Sequence, residues 1–382
     1  MSRDTVLFYC QHLLGVGHIS RSLAICRALL DSVNVVFIQG GPDIGRTIAS
    51  PYFTHVFLPP ILMREHDSSL YDPLGESSLD DLWASRKAAL DPILNQPFAS
   101  VVVELFPFGR NKFKPEILEV IRRARTANPR TKIYCSNRDI MVQKPDQDRR
   151  EGKIVSILSE HFDHVLVHSD PKLIAMDETF GATPQIADQI IYTGYVADPT
   201  PTPPGLSRLP RILVSLGGGA VGDELARACV QVADRFPGFE MRVLTGPYTS
   251  DAFAEELAGM AQDRPTVSVH GFAQDFRAEL AQAQLSISLA GYNTIMDLLA
   301  TKTPALVYPY MANREQNMRA QALADLGLMG MLFEPTLEPD ALEAAVRAQL
   351  SAPRPDTEID LSGATTSARV IADPMTGQSP TV

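Results

Sequence analysis

The segment from residue 285 to residue 328, LSISLAGYNTIMDLLATKTPALVYPYMANREQNMRAQALADLGL, constrains the fold of this chain more than any other stretch. A short apolar run, 285–289, breaks at Gly291 and gives way to a helical pattern over 293–300. A buried-type strand follows at 305–310, then an amphipathic helix that starts near Arg314. Strand, glycine turn, helix, strand, helix is the order of a parallel α/β layer. Ligands of such layers sit at the carboxyl ends of strands, against helix N-termini. Tyr292, Asn293, Thr294, Asp297, Glu315, Gln316, Asn317 and Arg319 fall at those places, which points to a ligand rich in phosphate and hydroxyl groups.

The alternation extends in both directions. Residues 5–10 read as a first strand, QHLLGVGHISRS as a glycine-bearing turn, and 20–30 as a helix with apolar positions at 3.6 spacing. Further strands are expected at 35–39, 55–58, 101–106, 133–136, 165–168 and 190–192, with the clearest helices at 80–94 and 115–125. The stretch ILMREHDSSLYDPLG, 61–75, has no period and reads as a mobile loop. Residues 197–210, ADPTPTPPGLSRLP, form a proline-dense linker, after which the pattern restarts. Strands follow at 211–216, 241–245, 267–270 and 331–334, and helices at 222–236, 252–262, 274–284 and 339–350. The fold class is therefore α/β, with two Rossmann-like doubly wound domains, 1–198 and 199–375, a cleft between them, and a disordered tail at 376–382.

Composition removes several function classes. The 382 residues are too many for one ordinary core. With 34 basic and 45 acidic residues the net charge is −11, which disfavours sequence-independent nucleic-acid binding. No apolar run is long enough to span a bilayer, and MSRDTVLFYC moves straight into a strand without a signal-peptide core. Cys10, Cys26, Cys135 and Cys229 form no CxxC pair and read as small buried residues of a reducing cytoplasm.

Four motifs carry chemistry, each with a plainer reading. Ser215-Leu-Gly-Gly-Gly-Ala220 follows a strand and opens a helix, so its glycines let the backbone approach a diphosphate; it is neither a Walker loop nor a GxGxxG, and a purely structural turn is equally expected. His18, in Gly17-His18-Ile19-Ser20-Arg21, ends the first strand and is a candidate proton acceptor, or else a capping or packing histidine. The sequence assigns it no carboxylate partner. Glu104, at the end of a strand in the same domain, is either a cleft residue or a buried paired acid, and Arg21 is the other acceptor-side candidate. Asp297 is placed to accept ribose hydroxyls, or is a solvated helix-face acid; His270-Gly271-Phe272 offers main-chain groups to a nucleobase, or simply ends a strand. His161, His164 and His168 are spaced like metal ligands, but no acid pattern accompanies them and no metal site is expected.

Together these residues resemble the GT-B nucleotide-sugar glycosyltransferases, in particular the MurG-like, family 28 group. The matching segments are Gly17-His18, Gly217-Gly218-Gly219-Ala220, Ala290-Gly291-Tyr-Asn-Thr294-Ile-Met-Asp297, Thr303-Pro304 through Pro309, and Glu315-Gln316-Asn317 with Arg319. The resemblance implies a UDP-sugar or dTDP-sugar donor as substrate, an acceptor hydroxyl, no cofactor and no metal. Gly217, Gly218, Gly219, Ala220, Gly291, Tyr292, Asn293 and Thr294 would hold the diphosphate, with Gly17 and Ala290 also among the donor-binding residues. Asp297 would bind ribose, His270, Gly271 and Phe272 would read the base, Glu315 and Gln316 would meet the sugar, and His18 would be the base. Three positions depart from the group: Asp297 stands where a Glu is usual, Leu289 where a basic residue is common, and Ser20-Arg21 where a proline often follows Gly-His. The expected partners are a nucleotide sugar and an unknown hydroxyl acceptor, in a cytoplasmic monomer or homodimer with peripheral membrane contact left open. A UDP-sugar hydrolase or epimerase of this fold, or a non-catalytic nucleotide-sugar-binding protein, are the alternatives.

Overall fold

The computed structural model describes residues 3–13, 17–64, 67–141, 146–197, 205–218, 221–271, 273, 275–353, 355 and 357–373. They form two compact units, residues 1–199 with 360–382, and residues 200–359. The tail at 376–382 and residues 198–204 of the proline-dense linker lie outside the described residues.

The first unit is built on strands β1 (Thr5–Gln11), β2 (Asn34–Gly40), β3 (Phe53–Phe57), β6 (Ser100–Glu104), β7 (Lys132–Arg138), β8 (His164–His168) and β9 (Ile190–Tyr192). They lie in the order β3-β2-β1-β6-β7-β8-β9, and every pairing is parallel. Helices α1 (Gly17–Leu29), α2 (Leu79–Leu90), α3 (Lys114–Ala127) and α4 (Gln147–His161) connect them. The strands are short apolar runs because both faces of a parallel sheet are covered. In α3, Ile117, Val120, Ile121 and Ala124 recur at helical spacing and bury one stripe against the sheet. The expected loop at 61–75 instead contains a small antiparallel ribbon, β4 (Leu62–Met63) with β5 (Leu70–Tyr71).

The second unit repeats the plan with β10 (Leu209–Ser215), β11 (Glu240–Leu244), β12 (Val267–His270), β13 (Ala283–Leu289), β14 (Ala305–Tyr308) and β15 (Gly330–Met331). Their order is β12-β11-β10-β13-β14-β15, again all parallel. Helices α5 (Asp223–Val232), α6 (Asp251–Ala261), α7 (Phe276–Gln282), α8 (Tyr292–Thr301), α9 (Arg314–Asp325) and α10 (Pro339–Ser351) alternate with them. In both sheets the strand order reverses once, beside the first strand, which is where doubly wound folds bind ligands.

A last helix, α11 (Gly363–Ala372), departs from the expected second-domain span of 199–375: it belongs to the first unit and packs on α1. Ala364, Ser367, Ala368 and Ile371 are its buried face. Ser100 Oγ donates to the Ile371 carbonyl at 2.9 Å and Tyr134 Oη to the Val370 carbonyl at 3.1 Å. Gly363 is required at the entry, since a Cβ there would stand 2.3 Å from the Gly194 carbonyl oxygen.

All four cysteines are buried and free. Among the described residues no helix is long and apolar enough to cross a membrane, and no cluster of His, Cys, Asp and Glu suits a metal ion. His168 is instead buried between Ser136 Oγ at 2.8 Å and Thr193 Oγ1 at 2.9 Å, and burial pushes it down to about 3, so it is neutral.

Candidate active site

In the first unit the strand order reverses between β1 and β6, and the chemistry-bearing side chains collect there. Helix α1 begins at Gly17, three residues earlier than the periodicity predicts, so His18 occupies its first turn. Glu104 is the last residue of β6 and its carboxylate is fully buried. The two meet: His18 Nδ1 lies 2.6 Å from Glu104 Oε1. Arg21, one helical turn on and buried, donates from Nη2 to the same oxygen at 2.7 Å. Arg110 Nη2 stands 3.9 Å from the other oxygen, Oε2.

Charge states follow from this geometry. Burial raises Glu104, but the positive groups around it and the His18 hydrogen bond outweigh burial and hold its carboxyl well below the ordinary 4.5. For His18, burial is again the largest influence and lowers it below 6.5; Glu104 pulls it up, while Arg21 and Arg110 push it down. A positive His18 would help to ionise Glu104, yet its own balance leaves it neutral near pH 7. We assign neutral His18 and ionised Glu104, because Arg21 and Arg110 stabilise the carboxylate without help from a His18 charge. Nδ1–H then donates to Glu104, which leaves Nε2 as the basic nitrogen. Glu104 is thus both a buried paired acid and the carboxylate partner that sequence reading left unassigned. The spacing of 86 residues carries no local signal for this pair.

In the second unit the reversal falls between β10 and β13. Two glycine turns end those strands. Gly217 adopts a left-handed φ of 59° and donates its N–H to Ser215 Oγ, while the Gly218 carbonyl accepts from Tyr248 N at 2.8 Å. Gly219 and Ala220 lie outside the described residues, as does Phe272. Helix α5 starts after Gly222 with Asp223 and Glu224 in its first turn, which already answer the positive end of its dipole. Helix α8 differs: Gly291 is its N-cap with no side-chain cap, and no acid stands in its first turn. The first amides after Ala290-Gly291, those of Tyr292, Asn293 and Thr294, are therefore the better-placed anion donors in this unit.

The remaining expected contacts are distributed around that edge. Leu289, where a basic residue is common, packs beside Gly222, whose φ of 99° and lack of a Cβ make room for it. Asp297 is not a solvated acid: it faces Arg277 Nε of α7 at 3.7 Å. Arg319 is fully buried, with its guanidinium 5.0 Å from the Tyr292 ring and Nη2 2.8 Å from Glu315 Oε1. It thereby fixes α9 to α8 and takes up the Glu315 carboxylate. Gln316 Oε1 accepts from Tyr310 N at 2.9 Å, while the Asn313 side chain caps the Gln316 amide. The His270 carbonyl accepts from Thr245 N at 3.0 Å, so the end of β12 is tied to the adjacent strand end, and Gly271 follows it.

Two parallel sheets with the same strand order and ligand-ready turns at both reversals define the GT-B architecture, and known structures bear this out. The chain superposes on MurG of Acinetobacter baumannii with a TM-score of 0.53 at 15% identity, covering 98% of this chain and 100% of that one. It superposes on the spinosyn rhamnosyltransferase complexed with thymidine diphosphate with a TM-score of 0.59 at 17% identity, covering 98% and 97%. Residues 213–373 match the glycosyltransferase family 28 C-terminal domain. In sequence, the UDP-N-acetylglucosamine--N-acetylmuramyl-(pentapeptide) pyrophosphoryl-undecaprenol N-acetylglucosamine transferase of Desulforudis audaxviator is 30% identical over 151 residues. That match covers 37% of this chain and 40% of the relative, so the chain spans about two-fifths of the length of the relative it matches.

Proposed function

We propose that this chain is a glycosyltransferase that moves a hexose or N-acetylhexosamine from a UDP-sugar or dTDP-sugar to an acceptor hydroxyl. The observation that carries the reading is the His18–Glu104 pair, with Nδ1 held at 2.6 Å and Nε2 left basic. In the step proposed, the acceptor hydroxyl gives its proton to His18 Nε2 and its oxygen forms a bond to the anomeric carbon of the donor. The bond from that carbon to the diphosphate oxygen breaks, and the leaving diphosphate keeps the electron pair. Amides at the start of α8 would stabilise the charge that develops there. Asp297 would receive the ribose hydroxyls, and the main chain of His270 and Gly271 would face the base. The nucleotide sugar enters as substrate. A uridine or thymidine donor is favoured because the relative is named for a UDP-sugar and one structural neighbour holds thymidine diphosphate.

The reading is tested by thermal shift with UDP, dTDP, GDP, CMP and NAD at equal concentration. A ligand that binds only the folded chain adds about 2.7 kcal/mol of stability at a hundred times its dissociation constant. A rise in melting temperature with UDP or dTDP, and not with the others, is expected. A rise with NAD alone overturns the proposal.

A further inference from the structure

Arg110 helps to hold Glu104 ionised from 3.9 Å but makes no hydrogen bond to it. Its backbone is left-handed, at φ 60° and ψ 19°, ahead of a single 3-10 turn (Asn111–Phe113). Such a conformation is unfavourable for a side-chain-bearing residue and persists only where its surroundings impose it. Leu105, at the other end of the same loop, is also left-handed, and its carbonyl accepts from Gly109 N at 2.7 Å. This short loop therefore holds the arginine at a fixed place beside β6.

About 10% of the Arg110 side chain is exposed, and its Nε and Nη2 are buried without a hydrogen-bond partner. Those two nitrogens form one edge of the guanidinium, the edge that receives the two oxygens of a carboxylate or phosphate. Glu104 does not fill it. Its Oε1 is taken by His18 and Arg21, and its Oε2 stays 3.9 Å from Nη2, beyond hydrogen-bonding distance. A buried guanidinium edge without an acceptor is costly, and an incoming oxyanion would satisfy it.

We propose that the Nε–Nη2 edge of Arg110 binds an oxyanion, a carboxylate or phosphate group, that the acceptor carries close to the hydroxyl delivered to His18. This rests on the glycosyltransferase reading for the word acceptor, while the oxyanion site stands on the first unit alone. It makes Arg110 a specificity-determining residue: neutral acceptors would lack its contact.

The test uses the full chain, labelled with carbon-13 in the histidine rings and saturated with UDP, so that phosphate cannot occupy the donor side. Inorganic phosphate and acetate are titrated separately at constant ionic strength, with sodium chloride as the control. The His18 ring signal, assigned by its loss in His18→Gln, is followed. A saturable shift is expected with phosphate or acetate and not with chloride, and the tighter of the two probes tells a phosphorylated from a carboxylated acceptor. In Arg110→Gln the binding should weaken by roughly tenfold or more, since a charge-assisted pair is lost. No saturable shift, a shift that chloride reproduces, or equal binding by the variant overturns the proposal. If Arg110→Gln does not fold, Arg110→Lys keeps the charge and removes the two-pronged edge; unchanged binding there also overturns it. UDP binding is read independently from the melting temperature. Failure of the donor reading would show there, and the Arg110 comparison would then be made without nucleotide.

Discussion

Replacing Glu104 by Gln should cost the first unit about 2–4 kcal/mol near neutral pH. Gln keeps the shape and an acceptor oxygen but removes the charge. Two hydrogen bonds to Oε1, from His18 at 2.6 Å and Arg21 at 2.7 Å, then fall from about 1.5–3 kcal/mol each to about 0.5–1.5 each. Arg21, itself buried, also loses the negative charge it meets at 2.7 Å, and breaking a buried pair reaches about 3–5 kcal/mol in the worst case. The chain has a single tryptophan, Trp83, which lies on α2 and packs edge-on against Phe113 at 5.3 Å. Its emission during urea unfolding therefore reports the unit that contains Glu104. The pH dependence gives the sharper check. Glu104 has its folded pKa well below the ordinary 4.5, so its contribution is fully present above 4.5 and is lost as pH falls through the folded value. The difference between wild type and Glu104→Gln should be constant from about pH 7 to about pH 5 and narrow below that. A difference under about 0.5 kcal/mol at neutral pH, or one that stays level into acid, would refute the assignment of an ionised, doubly bonded carboxylate.

Three further outcomes follow from the geometry. His18→Ala should lower turnover by about 10²–10⁴-fold while nucleotide affinity, measured by calorimetry, stays within about twofold; equal losses in both remove His18 as the base. If the proposed transfer runs through His18, the wild-type rate should hold above the ordinary histidine value of 6.5 and fall only at more acid pH, because His18 must be neutral and its pKa lies below that value. Asp297→Ala should weaken UDP binding by about tenfold, by removing an acceptor for ribose and releasing Arg277, and unchanged affinity contradicts the ribose contact. Gly363→Ala should destabilise the first unit by about 1–3 kcal/mol, since the new methyl meets backbone at Gly194 and Tyr195; Trp83-monitored urea unfolding that matches wild type would show that α11 enters by another path.

What the sequence made legible is what depends on neighbours along the chain. The alternation of apolar strands with amphipathic helices, the glycine turns after β10 and β13, and the first-turn position of Gly291 are all local patterns. Helix α4 is less clear in the sequence than α2 or α3: only Glu151 and Leu158 are fully buried along QDRREGKIVSILSEH, while Ile154, Val155 and Ile157 are only partly covered by the core. Helix α11 is made largely of small residues, GATTSARVIA, and gives no local sign that it returns to the first unit. The partner of His18 was equally hidden. His18, Arg21, Glu104 and Arg110 come together because β1 and β6 are neighbours, a pairing fixed by the order of a sheet and not by spacing. Asp297 teaches the converse. Its place at the start of α8 was readable, but the guanidinium of Arg277 facing it was not, since α7 and α8 meet only in three dimensions.

The return of α11 also sets a timetable for synthesis. The unit of residues 200–359 is contiguous and can close on itself as soon as it leaves the ribosome, whereas the first unit lacks its last helix until residues 363–372 emerge. At about 5–20 residues per second, the intervening 160 residues (359 − 200 + 1) delay that event by on the order of ten seconds. Through that interval the flank of α1 that α11 later covers is bare, and the Ser100 and Tyr134 hydroxyls lack the carbonyls they finally bind. The first unit is thus finished only after the second has been made.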